Sequence, residues 1–287
     1  MTYKVLWDFE YAGGQDGTIC NDYLFRFDPH GFCKVYSMKE QKKIASFTLD
    51  QIDVLMPHSN AVCFGTEYYE DKDPFPLLYT NIYNNYGHAE DRLEGVCCVY
   101  RIFQNGDSFD SKLVQVIRIG FTENLDCWKS MDNNGDVRPY GNFLVDTDHN
   151  RLLAFTMRDA AKTTRYFTFA LPKASDGIYS ELYHANVVTL TIEDVREQFD
   201  CDYSYFIQGA CYHDNKIYSV EGFTVNDPSH KKNPPRLQVI DLVGKTQCAD
   251  IDLYGLGLHI EPEFIAFYQG TFYYGDGTNH LYQFDFT

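Results

Sequence analysis

The chain has 287 residues, with 24 Lys+Arg against 41 Asp+Glu, a formal charge of −17 at neutral pH. A phosphate backbone is held by clustered Lys and Arg that release counterions, and no basic run here exceeds two residues, so no nucleic-acid partner is expected. Apolar residues make up 44% of the chain, enough for a packed core, and no stretch reaches the ~18 consecutive apolar residues that cross a bilayer, so no membrane partner is expected either.

Aromatic usage is heavy, with 23 Tyr and 22 Phe against 2 Trp. These rings suit pleated, half-buried surfaces and point to an all-β protein. Short runs with period-two alternation recur between Asn/Asp/Gly turns, and helical periodicity is confined to residues 192–199.

In chain order, residues 3–9 form a strand-like run with no apolar export core before it, so a cytoplasmic location is expected. From Gln15 onward a unit repeats: a small or polar opening, an apolar strand, a turn, an aromatic-rich strand and two more strands. The openings are Gln15-Asp16-Gly17, His58-Ser59-Asn60, Tyr140-Gly141-Asn142, Gln208-Gly209-Ala210 and Glu261-Pro262-Glu263. The second unit reads as strands at 61–64, 77–80, 96–102 and 113–119. The third reads as 143–145, 152–155, 165–169 and 187–190, and the fourth as 209–212, 216–220, 236–241 and 247–251. The fifth has only 264–267, 271–274 and 281–284 before the chain ends. Residues 3–9 supply its missing strand, which closes a ring and removes an exposed edge. The expected fold is one all-β domain over residues 1–287, a five-bladed β-propeller with the N-terminal strand closing the last blade. A six-bladed ring is the alternative, because 82 residues separate the openings at 60 and 142. Residues 121–138 in that gap are Asn/Asp/Gly-rich and hold no strand run, which favours five.

Nine scattered cysteines, an odd number, fall largely inside apolar strand patterns. They read as free, buried thiols in a reducing compartment, with Cys97 and Cys98 on opposite faces of one strand. Two segments break the regular pattern, 68–76 with its continuation 81–94, and 122–139, and long loops on a rigid scaffold are where binding groups gather. The 223–235 loop reads as solvated surface.

Equivalent positions in a ring surround its axis. Asp16, His58, Asn60, Asn142, Gln208, Glu261 and Glu263 are therefore expected to converge on one funnel, rimmed by Tyr68, Tyr69, Tyr83, Tyr86, Trp128 and Tyr140. Ordered water in a narrow polar channel is the bland counterpart of this reading. Paired carboxylates, Asp16 with Glu261 or Glu263, have the residue types for general acid and base work on a glycosidic bond. Asp16, Asn60, Asn142 and Glu263 offer the hard oxygen atoms that suit Ca²⁺. Acids and amides below an aromatic rim, with His58, Asn60, Tyr140, Asn142, Gln208 and Trp128 as contacts, also suit recognition of a carbohydrate or other small polar ligand. Asp132-Asn-Asn-Gly-Asp136 lacks the distal Glu of a calcium loop and reads as a turn; no Cys-x-x-Cys pair or Gly-rich phosphate loop is present.

The segments 15–25 and 261–274 resemble inner-strand motifs of arabinanase- and xylosidase-type glycosidases of five blades, a likeness that implies catalytic acids at Asp16 and Glu261. The Asp16, Asn60, Asn142, Glu263 set is similar to the metal centre of propeller lactonases, which have six blades. Over most of the chain, the His-Ser-Asn, Tyr-Gly-Asn-Phe and Gln-Gly-Ala-Cys openings resemble uncharacterised bacterial five-bladed β-propeller proteins, which implies the fold alone. Hydrolysis needs two acids in defined geometry and a group that tunes them, whereas binding needs only convergent polar groups. Ligand binding is therefore the leading expectation, with a glycosidase- or lactonase-like enzyme next and a protein-interaction scaffold third.

Overall fold

Alternating side chains commit each strand to one face against the next sheet. In the computed structural model this produces five small, mainly antiparallel sheets around one axis; the structure describes residues 1–9, 14–55, 57–82, 95–121, 141–158, 161–226 and 233–286. The first blade runs β2 (Gly17–Cys20), β3 (Tyr23–Phe27), β4 (Phe32–Ser37), β5 (Lys42–Thr48). The second contains β6 (Val62–Phe64), β7 (Leu78–Asn81), β8 (Val96–Asn105) and β9 (Ser108–Ile119). The third orders β10 (Asn142–Asp146), β11 (Arg151–Arg158), β12 (Thr163–Ala170) and β15 (Glu197–Asp202). The fourth is β16 (Ile207–His213), β17 (Lys216–Glu221), β18 (Arg236–Asp241), β19 (Thr246–Asp252). The fifth is β20 (Pro262–Tyr268), β21 (Thr271–Asp276) and β22 (His280–Asp285), with β1 (Thr2–Asp8) as its outermost strand.

The protein is thus a five-bladed β-propeller, closed as expected: β1 pairs antiparallel with β22, Tyr3 opposite Phe284 and Thr2 opposite Asp285. Turns from inner to second strands use left-handed residues that tolerate them, Asn21 and Asp22 at φ 49° and 65°, Asp214 and Asn215 at 47° and 57°. Five apolar clusters fill the five wedges between blades. Phe25 and Phe27 meet Leu78 and Tyr100 between the first and second. Val99 and Ile117 meet Phe143 and Phe167 in the next wedge, and Phe155 and Tyr166 meet Ile217 and Ile240 after it. Val220 and Leu237 pack on Tyr274 and Phe284, and Phe264 with Leu281 packs on Leu24 and Tyr36, joining the last blade to the first.

Two sequence expectations are corrected. Residues 187–190, read as the third blade's outer strand, lie in β14 (Ala185–Leu190), which pairs parallel with β9 and extends the second sheet to six strands with β13 (Ile178–Ser180). The third blade's outer strand is β15, in the segment read as helical; only Ile192–Asp194 there makes a single 3₁₀ turn. Among the described residues no helix is long and apolar enough to cross a membrane. The eight described cysteines are all free, and Cys97 and Cys98 face different wedges.

Candidate functional site

The first residue of each inner strand and the last residue of each second strand meet at the same end of a propeller, because the two strands are antiparallel. Here both rings are polar and buried. The inner-strand ring holds Asp16, Asn60, Asn142, Gln208 and Glu263, between 0% and 8% exposed. The second-strand ring holds Arg26, Asn81, Thr156, Glu221 and Asp276, none more than 2% exposed.

Hydrogen bonds that cross the axis tie the ends together. Asn60 Nδ2, on the second blade, donates to the Ile207 carbonyl of the fourth at 3.1 Å. Asp16, on the first, accepts the Val62 amide at Oδ2 (2.8 Å), while its Oδ1 faces the fourth, 3.1 Å from where a Cβ on Gly209 would stand. That Cβ would also sit 2.7 Å from the Glu263 carbonyl, so only glycine lets the fourth and fifth inner strands approach this closely. Asn81 Oδ1 accepts the amides of Asn60 (2.9 Å) and Ala61 (3.1 Å), and its Nδ2 donates to the Gly141 carbonyl. Gln208 Nε2 donates to Glu261 Oε1 and, at 3.3 Å, to the Gly222 carbonyl.

Asp16, Asn60, Asn142, Gln208 and Glu263 share one end of the propeller as a packed polar plug more than an open funnel. Glu261, half-buried, bonds Gln208, and His58 Nε2 lies 3.2 Å from Gln15 Oε1. Burial, with His30 nearby, lowers His58 to about 4, so it is neutral at physiological pH. Burial also holds Asp16 well above the usual carboxylate range, against the opposing amides of Gly17, Val62 and Ala210. Glu263 is raised in the same way, with Glu261 adding repulsion and Arg26 working against it.

Arg26 was not anticipated. Its guanidinium lies over the rings of Phe9 (4.8 Å) and Phe264 (5.3 Å), and Nη2 donates to the Asp276 carbonyl at 3.0 Å. A lone arginine within the apolar run Tyr-Leu-Phe-Arg-Phe of β3 was the available signal, since charge is rarely buried without a partner. Asn81 and Glu221 were missed likewise: Asn81 opens the 81–94 segment and Glu221 follows the expected strand 216–220.

Among the described residues several of these buried atoms have no hydrogen-bond partner: Asp16 Oδ1, Asn60 Oδ1, Asn142 Oδ1, Glu263 Oε2, and Arg26 Nε and Nη1. The four oxygens belong to the four residues expected as hard ligands, and they come from four different blades. No three His, Cys, Asp or Glu side chains group as a metal site among the described residues. Trp128, Tyr140, Tyr83 and Tyr86 lie outside the described residues. Tyr68 and Tyr69 do not rim the site: they follow the far end of β6, and Arg101, which is bonded to Glu70 and Asp73, lies over the Tyr69 ring.

No protein-family model matches the sequence, and no curated protein matches it. Among solved structures, Myxococcus xanthus glutaminyl cyclase aligns over 98% of this chain and 95% of its own, at 10% identity and a TM-score of 0.52. Kuenenia stuttgartiensis hydrazine synthase aligns over 91% of this chain and 61% of its own (11% identity, TM-score 0.44), and the designed protein Ika8 over 93% and 57% (10% identity, TM-score 0.34). The last two are too distant to bear on the argument. The first is similar in fold alone.

Proposed function

We propose that the chain is a ligand-binding propeller that holds a small polyhydroxylated molecule, a carbohydrate or a similarly polar ligand, at the inner-strand openings. The observation that carries this reading is the set of buried atoms at the inner-strand openings without partners among the described residues, four acceptor oxygens together with two donors of Arg26. Each such atom costs ~1–3 kcal/mol while unanswered. A hydroxyl both donates and accepts, so water answers these atoms in the free protein and a polyol answers them together when it displaces that water. A bare Ca²⁺ would satisfy the oxygens and leave Arg26 unanswered, and it would sit beside a fixed positive charge.

The electrostatics disfavour Asp16 with Glu263 as the acid and base of a hydrolase. Glycoside cleavage needs one ionised and one protonated carboxyl. Burial here pushes both Asp16 and Glu263 toward the protonated form.

Asn142 gives the sharpest test, because its buried Oδ1 has no hydrogen-bond partner among the described residues. Asn142→Leu is expected to melt at or above the wild-type temperature yet lose the rise in melting temperature that a mono- or disaccharide panel produces in the wild type. A wild type unresponsive to every sugar and polyol overturns the reading. So does an equal rise with CaCl₂ alone, or turnover of aryl glycosides or lactones that Asp16→Asn abolishes.

A further inference from the structure

All five inner strands end at the opposite mouth of the axis, and there they enclose a cavity of about 210 Å³. Thr18 and Ile19 of the first blade line it, with Val62 to Phe64 of the second, Val145 of the third, Cys211 to His213 of the fourth, and Ala266 and Phe267 of the fifth. The lining is mixed: Ile19, Val62, Val145 and Phe267 are apolar, Thr18 and Thr147 polar. A dry cavity of ~150 Å³ holds a benzene ring, so this one has room for a single substituted ring. Its aromatic wall is preformed: the His213 ring stacks on Phe267 with centroids 3.4 Å apart, and Phe272 meets His213 edge-on at 5.8 Å.

The rim is charged and of one sign. Asp148 and Asp214 line the cavity, and among the described residues no Lys or Arg does. Asp148 Oδ2 accepts the Tyr212 hydroxyl at 2.8 Å. Lys216 lies 3.9 Å from Asp214 Oδ2 but outside the lining, so it offsets the rim in part. His213 adds no positive charge, because burial lowers its proton affinity. Thr18, 9% exposed, adds a hydroxyl to the lining.

We propose that this mouth is a second binding site, distinct from the polar plug, for a small organic cation: an aromatic or aliphatic amine whose apolar body enters between the five strands while its ammonium group meets Asp148 and Asp214. Apolar contact supplies most of the affinity, and the two carboxylates select the charge. The stacked His213 and Phe267 rings present π-faces that also favour a cation over an anion.

Benzylamine and benzyl alcohol are the probes, since they share the ring and differ in charge. In low salt, calorimetric titration is expected to show benzylamine binding about fivefold or more tighter than the alcohol. Asp148→Asn with Asp214→Asn should erase that preference and leave alcohol binding in place. Both positions are exposed, and asparagine tolerates the left-handed backbone of Asp214, so the pair is expected to fold. Thr147→Trp, at an exposed lining position, should block both probes. Equal affinity of the two probes for the wild type, no binding of either, or unchanged binding to Thr147→Trp overturns the proposal. Asn142→Leu is expected to bind benzylamine as the wild type does, so this site and the polar plug stand or fall separately.

Discussion

Glu221 closes β17 with 2% of its surface exposed, Oε2 accepting the Tyr205 amide at 2.5 Å and Oε1 without a partner. Desolvation raises it to about 8, from an ordinary value of 4.5, despite that amide. The folded state therefore holds its proton more tightly than the unfolded chain. Stability contributed by the neutral form is full below pH ~4.5 and is lost as pH rises toward 8. Glu221→Gln, which keeps the shape and an acceptor for Tyr205, should be about 2 kcal/mol or more stabilising at pH 8, with the gain vanishing near pH 4.5. Urea unfolding at both values checks this, and a gain independent of pH would show that Glu221 does not titrate as its burial implies. The residue's absence from the sequence reading has a physical cause. Asp16, Asn60, Asn142, Gln208 and Glu263 were legible because polar openings break apolar runs at equivalent places in a repeat. Asn81, Glu221 and Asp276 close second strands, where a polar residue looks like the start of a turn, and only the ring geometry brings them back to the same end.

At the scale of elements, β1 carries closure. Its own burial is slight, but Tyr3 packs against Tyr282 and Phe284 at 5.7 and 6.5 Å, and its ladder covers the outer edge of β22. Deleting residues 1–8 uncovers that edge and the fifth wedge. A loss of several kcal/mol, or roughly 10 °C in melting temperature, is expected, with self-association through the bared strand visible by size-exclusion chromatography. A truncated chain that melts like the wild type would mean that the ring does not depend on this strand. Closure could be read from sequence because the strands did not divide evenly: one was spare at the start and one was missing at the end. The third blade's outer strand was hidden for the opposite reason. β15 reads Glu-Gln-Phe-Asp-Cys-Asp, too polar for a strand by composition, and it holds its place by charge. Asp200 stands opposite Arg165 in the ladder and accepts from both Arg165 (2.7 Å) and Arg158 (3.0 Å), while Glu197 pairs with Arg151 at 3.3 Å. β14 has the apolar alternation expected of that position, but alternation does not name a partner, and the open edge of β9 took it in parallel.

For the whole molecule, 41 acidic against 24 basic side chains leave a charge of −17, and this repulsion acts in addition to the buried acids of the plug. The two effects have the same sign, since both lower stability as pH rises from about 5 to 8, but they differ in reach. Surface repulsion acts through solvent and is screened once the Debye length falls to ~10 Å at 0.1 M salt, whereas the cost of ionising Asp16, Glu221 or Glu263 is a local desolvation that salt barely reaches. Raising NaCl from ~10 mM to ~0.3 M at pH 8 should therefore lift the melting temperature by a few degrees, and by less at pH 5, where part of the surface charge is already neutralised. A fall in pH should still stabilise the protein at high salt, and that residual slope measures the plug; Glu221→Gln should flatten it. KCl should act like NaCl at equal ionic strength. If salt instead lowers the melting temperature, the ion pairs of Asp200, Asp146 and Asp73 with their arginines outweigh the net repulsion, and the charge excess has no bearing on stability.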